Sequence, residues 1–194
     1  MRFLTATLFC EGREDEAFLR ILLERQLREI GAMGKGFGFE VLVPGGCMTA
    51  TAFGDELDRA IVTASEMFDV VFVHNDHDQR QKCVLRDGRL AGKLASNSRT
   101  VNIIPIRETE AWALADPAAL PSGRQSAQLP TKSQHVEKIA DPKAILKQVL
   151  GRKYSAELAE LIALGVSLDR LAEVPAYQSF LQDLTTALKE LNFL

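Results

Sequence analysis

The chain has 194 residues, 46% of them apolar and 25% charged, with a formal net charge of −3 and a mean hydropathy near zero. That composition belongs to a globular protein with material for a sizeable core, and it excludes any general electrostatic pull toward nucleic acid. The odd set Cys10, Cys47 and Cys83, with no CxxC pair, excludes a disulfide framework and a cysteine-rich zinc site.

In chain order, residues 3–10 are strand formers and read as a strand buried on both faces. The period then changes. Leu19, Leu23, Leu27 and Ile30 fall on one stripe, so residues 14–30 read as a helix that stops at Gly31. The glycine-rich 34–38 leads into a second strand over 39–43, which Pro44-Gly45-Gly46 ends. Leu57, Ile61, Ala64 and Phe68 predict a helix over about 53–68, and Val70-Val71-Phe72-Val73 a third strand. A fourth runs from Val101 to Ile106, with Pro105 expected near its end or at a sheet edge. Strands alternating with amphipathic helices predict an α/β fold, a small, mostly parallel sheet of about four strands flanked by helices, over 1–116.

From 117 the texture changes. Residues 121–135 are polar, with Pro121, Gly123 and Pro130, and read as a linker. Asp141-Pro142 is a helix start, and only helical patterns follow, ending in Phe180, Leu184, Leu188 and Leu191. Residues 117–194 are thus expected to be a linker and a helical extension packed on the sheet. Met1-Arg2-Phe3-Leu4 enters a strand without a signal-peptide core, and no apolar run reaches the ~18 residues of a membrane helix. A cytoplasmic protein with reduced thiols and no membrane partner is the expectation.

Three strands end in carboxylates, which is where open α/β sheets place their chemistry. Glu11 follows the first strand and precedes Gly12, whose missing Cβ permits a tight turn and a close ligand. Asp15 lies in the first helical turn near it, while Glu14 and Glu16 read as complements to the helix dipole. Asp76 and Asp78 follow the third strand in His74-Asn75-Asp76-His77-Asp78. Such oxygen donors suit Mg²⁺ or Mn²⁺, although an Asp-rich solvated turn has the same composition. Glu108 and Glu110 follow the fourth strand; Glu110 is the favoured ligand, and Glu108 is left to cap or to pair with Arg107. His74, His77 and Cys83 lack zinc-ligand spacing, and neither GxSxG nor GxxxxGK[ST] occurs. Residues 79–107 are locally basic. Arg80, Lys82, Arg86 and Arg107 are candidate contacts to a phosphate backbone, against the plain alternative of a solvated basic segment.

With Glu11-Gly12, Asp76-x-Asp78 and a following Glu in place, the chain resembles the Toprim domain of topoisomerases, bacterial primases, recombination mediators and OLD-family nucleases. Asp15, four residues after Glu11, is similar to the OLD-type variant. The Glu108-Thr109-Glu110-Ala111-Trp112 stretch and the tail, with Lys153-Tyr154 and residues 175–184, are similar to small stand-alone Toprim-like proteins. The resemblance implies Mg²⁺- or Mn²⁺-dependent phosphodiester cleavage on DNA or RNA. Glu11, Asp76 and Asp78 would be catalytic, and Asp15 and Glu110 would complete a second metal position. It also implies a catalytic lysine, for which Lys132, Lys138 and Lys143 are candidates, and a separate ATPase partner, since this chain has no ATPase motif. Both tyrosines, Tyr154 and Tyr177, lie in the tail, which argues against topoisomerase strand passage. Two alternatives stay open: a non-catalytic Toprim-fold module that binds nucleic acid or protein, and a DxD glycosyltransferase, against which the early Glu-Gly and short chain argue.

Overall fold

The computed structural model describes residues 2–33, 37–42, 55–76, 80–121, 129–130 and 132–194, with the side chains of all but 42 and 80–83 among them. The apolar runs become the strands β1 (Phe3–Phe9), β2 (Gly38–Leu42), β3 (Val70–His74) and β4 (Arg99–Ile103). They form one parallel sheet in the order β2-β1-β3-β4. Position in the sheet explains the texture of each strand. Central β3 is buried at all five positions, whereas edge strand β4 alternates in its second half. Strand β4 stops at Ile103, short of the expected Ile106. The Asn75 amide donates to the Ile103 carbonyl, and Pro105, two residues further, has no amide with which to extend the ladder.

Helix α1 (Arg13–Met33) runs past Gly31, which is buried within it. Helices α2 (Asp55–Ser65) and α3 (Arg80–Leu90) complete the crossovers, and the short α4 (Thr109–Ala113) follows β4. The sheet carries two unequal cores. Phe9, Leu57, Ile61, Ala64, Val71, Val73 and Leu90 form the smaller one beneath α2 and α3. The larger one holds the apolar stripe of α1, Trp112 and most of the C-terminal helices.

That extension comprises α5 (Pro142–Leu150), α6 (Ala156–Gly165), α7 (Leu168–Leu171) and α8 (Pro175–Glu190). Asp141 caps α5, accepting from the Ala144 amide at 2.8 Å, with Pro142 in the first turn. Helix α6 packs on α1, and α8 packs on β4. Trp112 is fully buried at the junction, edge-on to Tyr177 with ring centroids 5.0 Å apart, a geometry worth about 1 kcal/mol beyond its buried area. Glu137 fastens the same junction. It accepts from the Ile106 amide, the Trp112 indole and the Ala176 amide at 3.2–3.3 Å. Among the described residues no helix is long and apolar enough to cross a membrane.

Candidate metal centre and its cleft

Strand order reverses between β1 and β3. From β1 the chain crosses outward to β2, whereas β3 leads on to β4 at the other side. The segments leaving the two central strands diverge there and open a crevice at the carboxyl edge. Glu11 leaves β1 at that point, Asp15 lies in the first turn of α1, and Asp76 follows β3 by two residues. Gly12 allows the crowding. A Cβ on it would stand 2.8 Å from the Asp15 Oδ2, so a side chain here would push the Asp15 carboxylate off the turn.

His74, the last residue of β3, lies beneath these acids with its side chain wholly enclosed. Its Nε2 is 3.2 Å from Asp76 Oδ1 and 2.9 Å from Thr109 Oγ1. Thr109 also favours the charged form of Asp15, and the Asp76 amide that of Glu11. One ligand atom from each of Asp15, His74 and Asp76 lies within 4.8 Å of the others. Two oxygens and one nitrogen thus converge in a spacing that one divalent cation can bridge.

The electrostatics express the same crowding. Burial, then the Asp76 carboxylate, pushes the Glu11 pKa up. Burial also raises Asp15, with Asp76 adding to the rise and His74 opposing it. For His74, burial disfavours the charged ring, but Asp76, Asp15 and Glu11 outweigh it and raise its pKa. Glu11 and Asp15 bind their protons more tightly because burial first, and neighbouring negative charge second, disfavour the charged carboxylate.

The cluster forms the floor of a cleft of about 470 Å³. Glu14, Asp15, Asp76 and Glu110 supply its acidic lining, and Lys143, Lys147, Lys153 and Tyr154 a basic wall. Glu110 is 4% exposed, and its Oε1 is 3.3 Å from Lys143 Nζ. Burial raises the Glu110 pKa, and Lys143 opposes that rise. Burial works against the charge of Lys143, but Glu110, Glu108 and Asp15 hold its pKa above the ordinary value.

A protein-family model described as a domain of unknown function, DUF4276, matches residues 10–185, nearly the whole chain and every element of this cleft. The chain belongs to the DUF4276 family. No curated protein and no solved structure matches it. Its four-stranded parallel sheet flanked by helices is consistent with the wider Toprim and Rossmann-like superfamily.

In this DUF4276 chain the structure brings Glu11, Asp15 and Asp76 together at the switch point, and Glu110 to the cleft beside them. Asp78 and His77 lie outside the described residues, as do the side chains of Arg80, Lys82 and Cys83. Glu108 is the N-cap residue of α4 without a side-chain capping bond. Glu14, expected only to complement a helix dipole, also lines the cleft.

Arg86 departs from the exposed phosphate contact expected of it. It is 5% exposed and turned onto the sheet edge, where its guanidinium bonds Asn102 and lies 3.5 Å from Asp87. Arg107 is exposed, donates to the Ala140 carbonyl at 3.3 Å and has φ 74°. Of the three candidate lysines, Lys143 lines the cleft; Lys132 and Lys138 lie in and beside the 3-10 turn Ser133–Lys138.

His74, Thr109, Lys147 and Tyr154 received no role in the sequence reading of the acid site. Two of them left a trace. His74 is a polar residue ending an otherwise apolar strand, and Lys147 repeats Lys143 at the four-residue spacing of one helix face.

Proposed function

We propose that the protein is a Mg²⁺- or Mn²⁺-dependent phosphodiester-cleaving enzyme, a nuclease of Toprim type acting on DNA or RNA. The observation that carries this reading is the acidic cluster at the β1/β3 switch point sharing one cleft with a set of lysines. Asp15, His74 and Asp76 would hold a first cation, with Glu11 beside them and Asp78 as the further Toprim acid. Glu110 with Asp15 would serve a second position. A bound divalent cation supplies an activated water and neutralises charge on the phosphoryl group. The imidazole among the oxygen donors favours Mn²⁺ over Mg²⁺, because nitrogen is a poorer partner for the harder ion.

The chain's own groups would do the rest. Glu11, its pKa raised, would hold a proton for the leaving oxygen. Lys143, its charge secured by Glu110, is the favoured catalytic lysine. Arg80, Lys82 and Arg107 would contact the nucleic-acid backbone; Arg86, turned inward, would not. The likeness to OLD-type proteins extends the proposal to a separate ATPase partner, and the odd cysteine set without a CxxC pair extends it to a cytoplasmic setting.

The test is cleavage of plasmid and single-stranded substrates with Mg²⁺ or Mn²⁺, comparing the wild type with Asp76→Ala and Glu11→Ala. Loss of activity in both supports the assignment, and activity that survives both refutes it. Salt-sensitive nucleic-acid binding without metal binding at millimolar Mn²⁺ would instead favour the adaptor reading.

A further inference from the structure

The basic wall of the cleft has a chemistry that the metal cluster does not use. Lys147 stands one helical turn beyond Lys143 on α5, on the same face. Lys153 and Tyr154 follow the left-handed Gly151, which ends α5 at φ 65° and turns the chain back toward the cleft. Neither Lys147 nor Lys153 has an ion pair or hydrogen bond among the described residues, although four carboxylates line the same space.

Tyr154 is the second, independent observation. Its side chain is 5% exposed, it lines the cleft, and its hydroxyl has no hydrogen-bond partner. A buried hydroxyl without an acceptor is a standing cost to the fold, and nearby Tyr154 atoms could be packed as well by phenylalanine. An enclosed O–H donor that lines the same cleft as two unpaired ammonium groups matches an oxyanion.

We infer that Lys147, Lys153 and Tyr154 form a phosphate-binding subsite that holds a phosphate group of the substrate against the acidic floor. The lysines supply charge, and the tyrosine supplies one directed donor to a non-bridging oxygen. A carboxylate ligand would satisfy the wall alone. A phosphate has further oxygens to turn toward a cation on the floor, so it suits both sides of the cleft at once. The metal-facing half of this inference rests on the proposed function; the wall's affinity for phosphate does not. It moves the grip on substrate from the basic segment after β3 to the helical extension.

The experiment follows inorganic phosphate by ³¹P NMR with the full-length wild type, Lys147→Ala/Lys153→Ala and Tyr154→Phe, each with and without Mn²⁺. Phosphate affinity should fall about tenfold or more in the lysine pair, and about tenfold in Tyr154→Phe. Tyr154→Phe should unfold at the same or a higher temperature than the wild type, because it removes an unpaired hydroxyl; a structural hydroxyl would lower it. Mn²⁺ should broaden the phosphate resonance in the wild type and not in Asp76→Asn. Phosphate affinity equal in all three proteins, or no phosphate binding to the wild type, overturns the subsite, whatever Mn²⁺ does. Phosphate affinity that falls in the variants while Mn²⁺ fails to bind keeps the subsite and overturns the metal reading.

Discussion

Two groups of acids in this molecule have opposite surroundings. Asp116 and Glu137, each 6% exposed, are held by donors. Asp116 accepts from the Ala118 and Ser167 amides, both at 3.1 Å, with Arg170 at 3.6 Å. Glu137 accepts from two amides and an indole. Glu11, Asp15 and Asp76 have one another as neighbours instead, with a histidine and few donors. The first group joins the extension to the sheet. The second keeps like charges in close company, an arrangement that a polypeptide maintains at a cost and a cation relieves.

The contrast can be broken at either end. Glu137→Ala should have the largest effect on stability, about 3 kcal/mol, because it leaves the buried Trp112 indole and two part-buried amides without their acceptor. Mn²⁺ affinity of the folded fraction should stay within about twofold. Chemical denaturation and metal titration check the two halves, and a fully stable variant would remove Glu137 from the first group.

Asp15→Asn should do the reverse. Mn²⁺ affinity falls about 100-fold, equivalent to about 2.7 kcal/mol, while the metal-free protein is as stable as the wild type or slightly more so. Unchanged Mn²⁺ binding by calorimetry would take Asp15 out of the metal site.

Gly12→Ala tests the crowding by space alone. The new Cβ displaces the Asp15 carboxylate, so a loss of affinity of about tenfold is expected, the scale of a disturbed orienting contact. Because the displaced atoms end a flexible side chain, melting temperature should change little.

The smallest effect is in pH. Glu11, Asp15, Glu110 and His74 all have raised pKa values in the folded state. The metal-free fold therefore binds more protons than the unfolded chain. The stability that these groups contribute is fully present below their unfolded pKa values. It is lost as pH rises through the raised folded ones. Saturating Mn²⁺ should then raise the melting temperature more at pH 8 than at pH 5.5, and Asp15→Asn should shrink that difference. An equal increment at both pH values would contradict the coupling.

The sheet and its acid-bearing ends were legible because they are local. Continuous apolar runs such as 70–73 mark central strands, and a carboxylate just past one, as Glu11 and Asp76 are, has few other places to go. The end of β4 was misplaced by three residues because 104–106 stay apolar outside the ladder. Arg86 was misread for a similar reason: a basic residue looks solvent-bound until Asn102 and Asp87 are seen beside it. Lys147 and Tyr154 depend on how α5 docks across α4, a long-range contact with no local pattern.

Glu137 has a consequence in time. The peptide after β4, the indole on α4 and the first turn of α8 meet on one carboxylate. Helix α4 carries Glu110, and α5, which faces it, carries Lys143. During synthesis the sheet can assemble from the early strands, but this fastening waits until residue 176 has left the ribosome. Such distant pairings form late, so a nascent or truncated chain would hold the acids without the basic wall of their cleft.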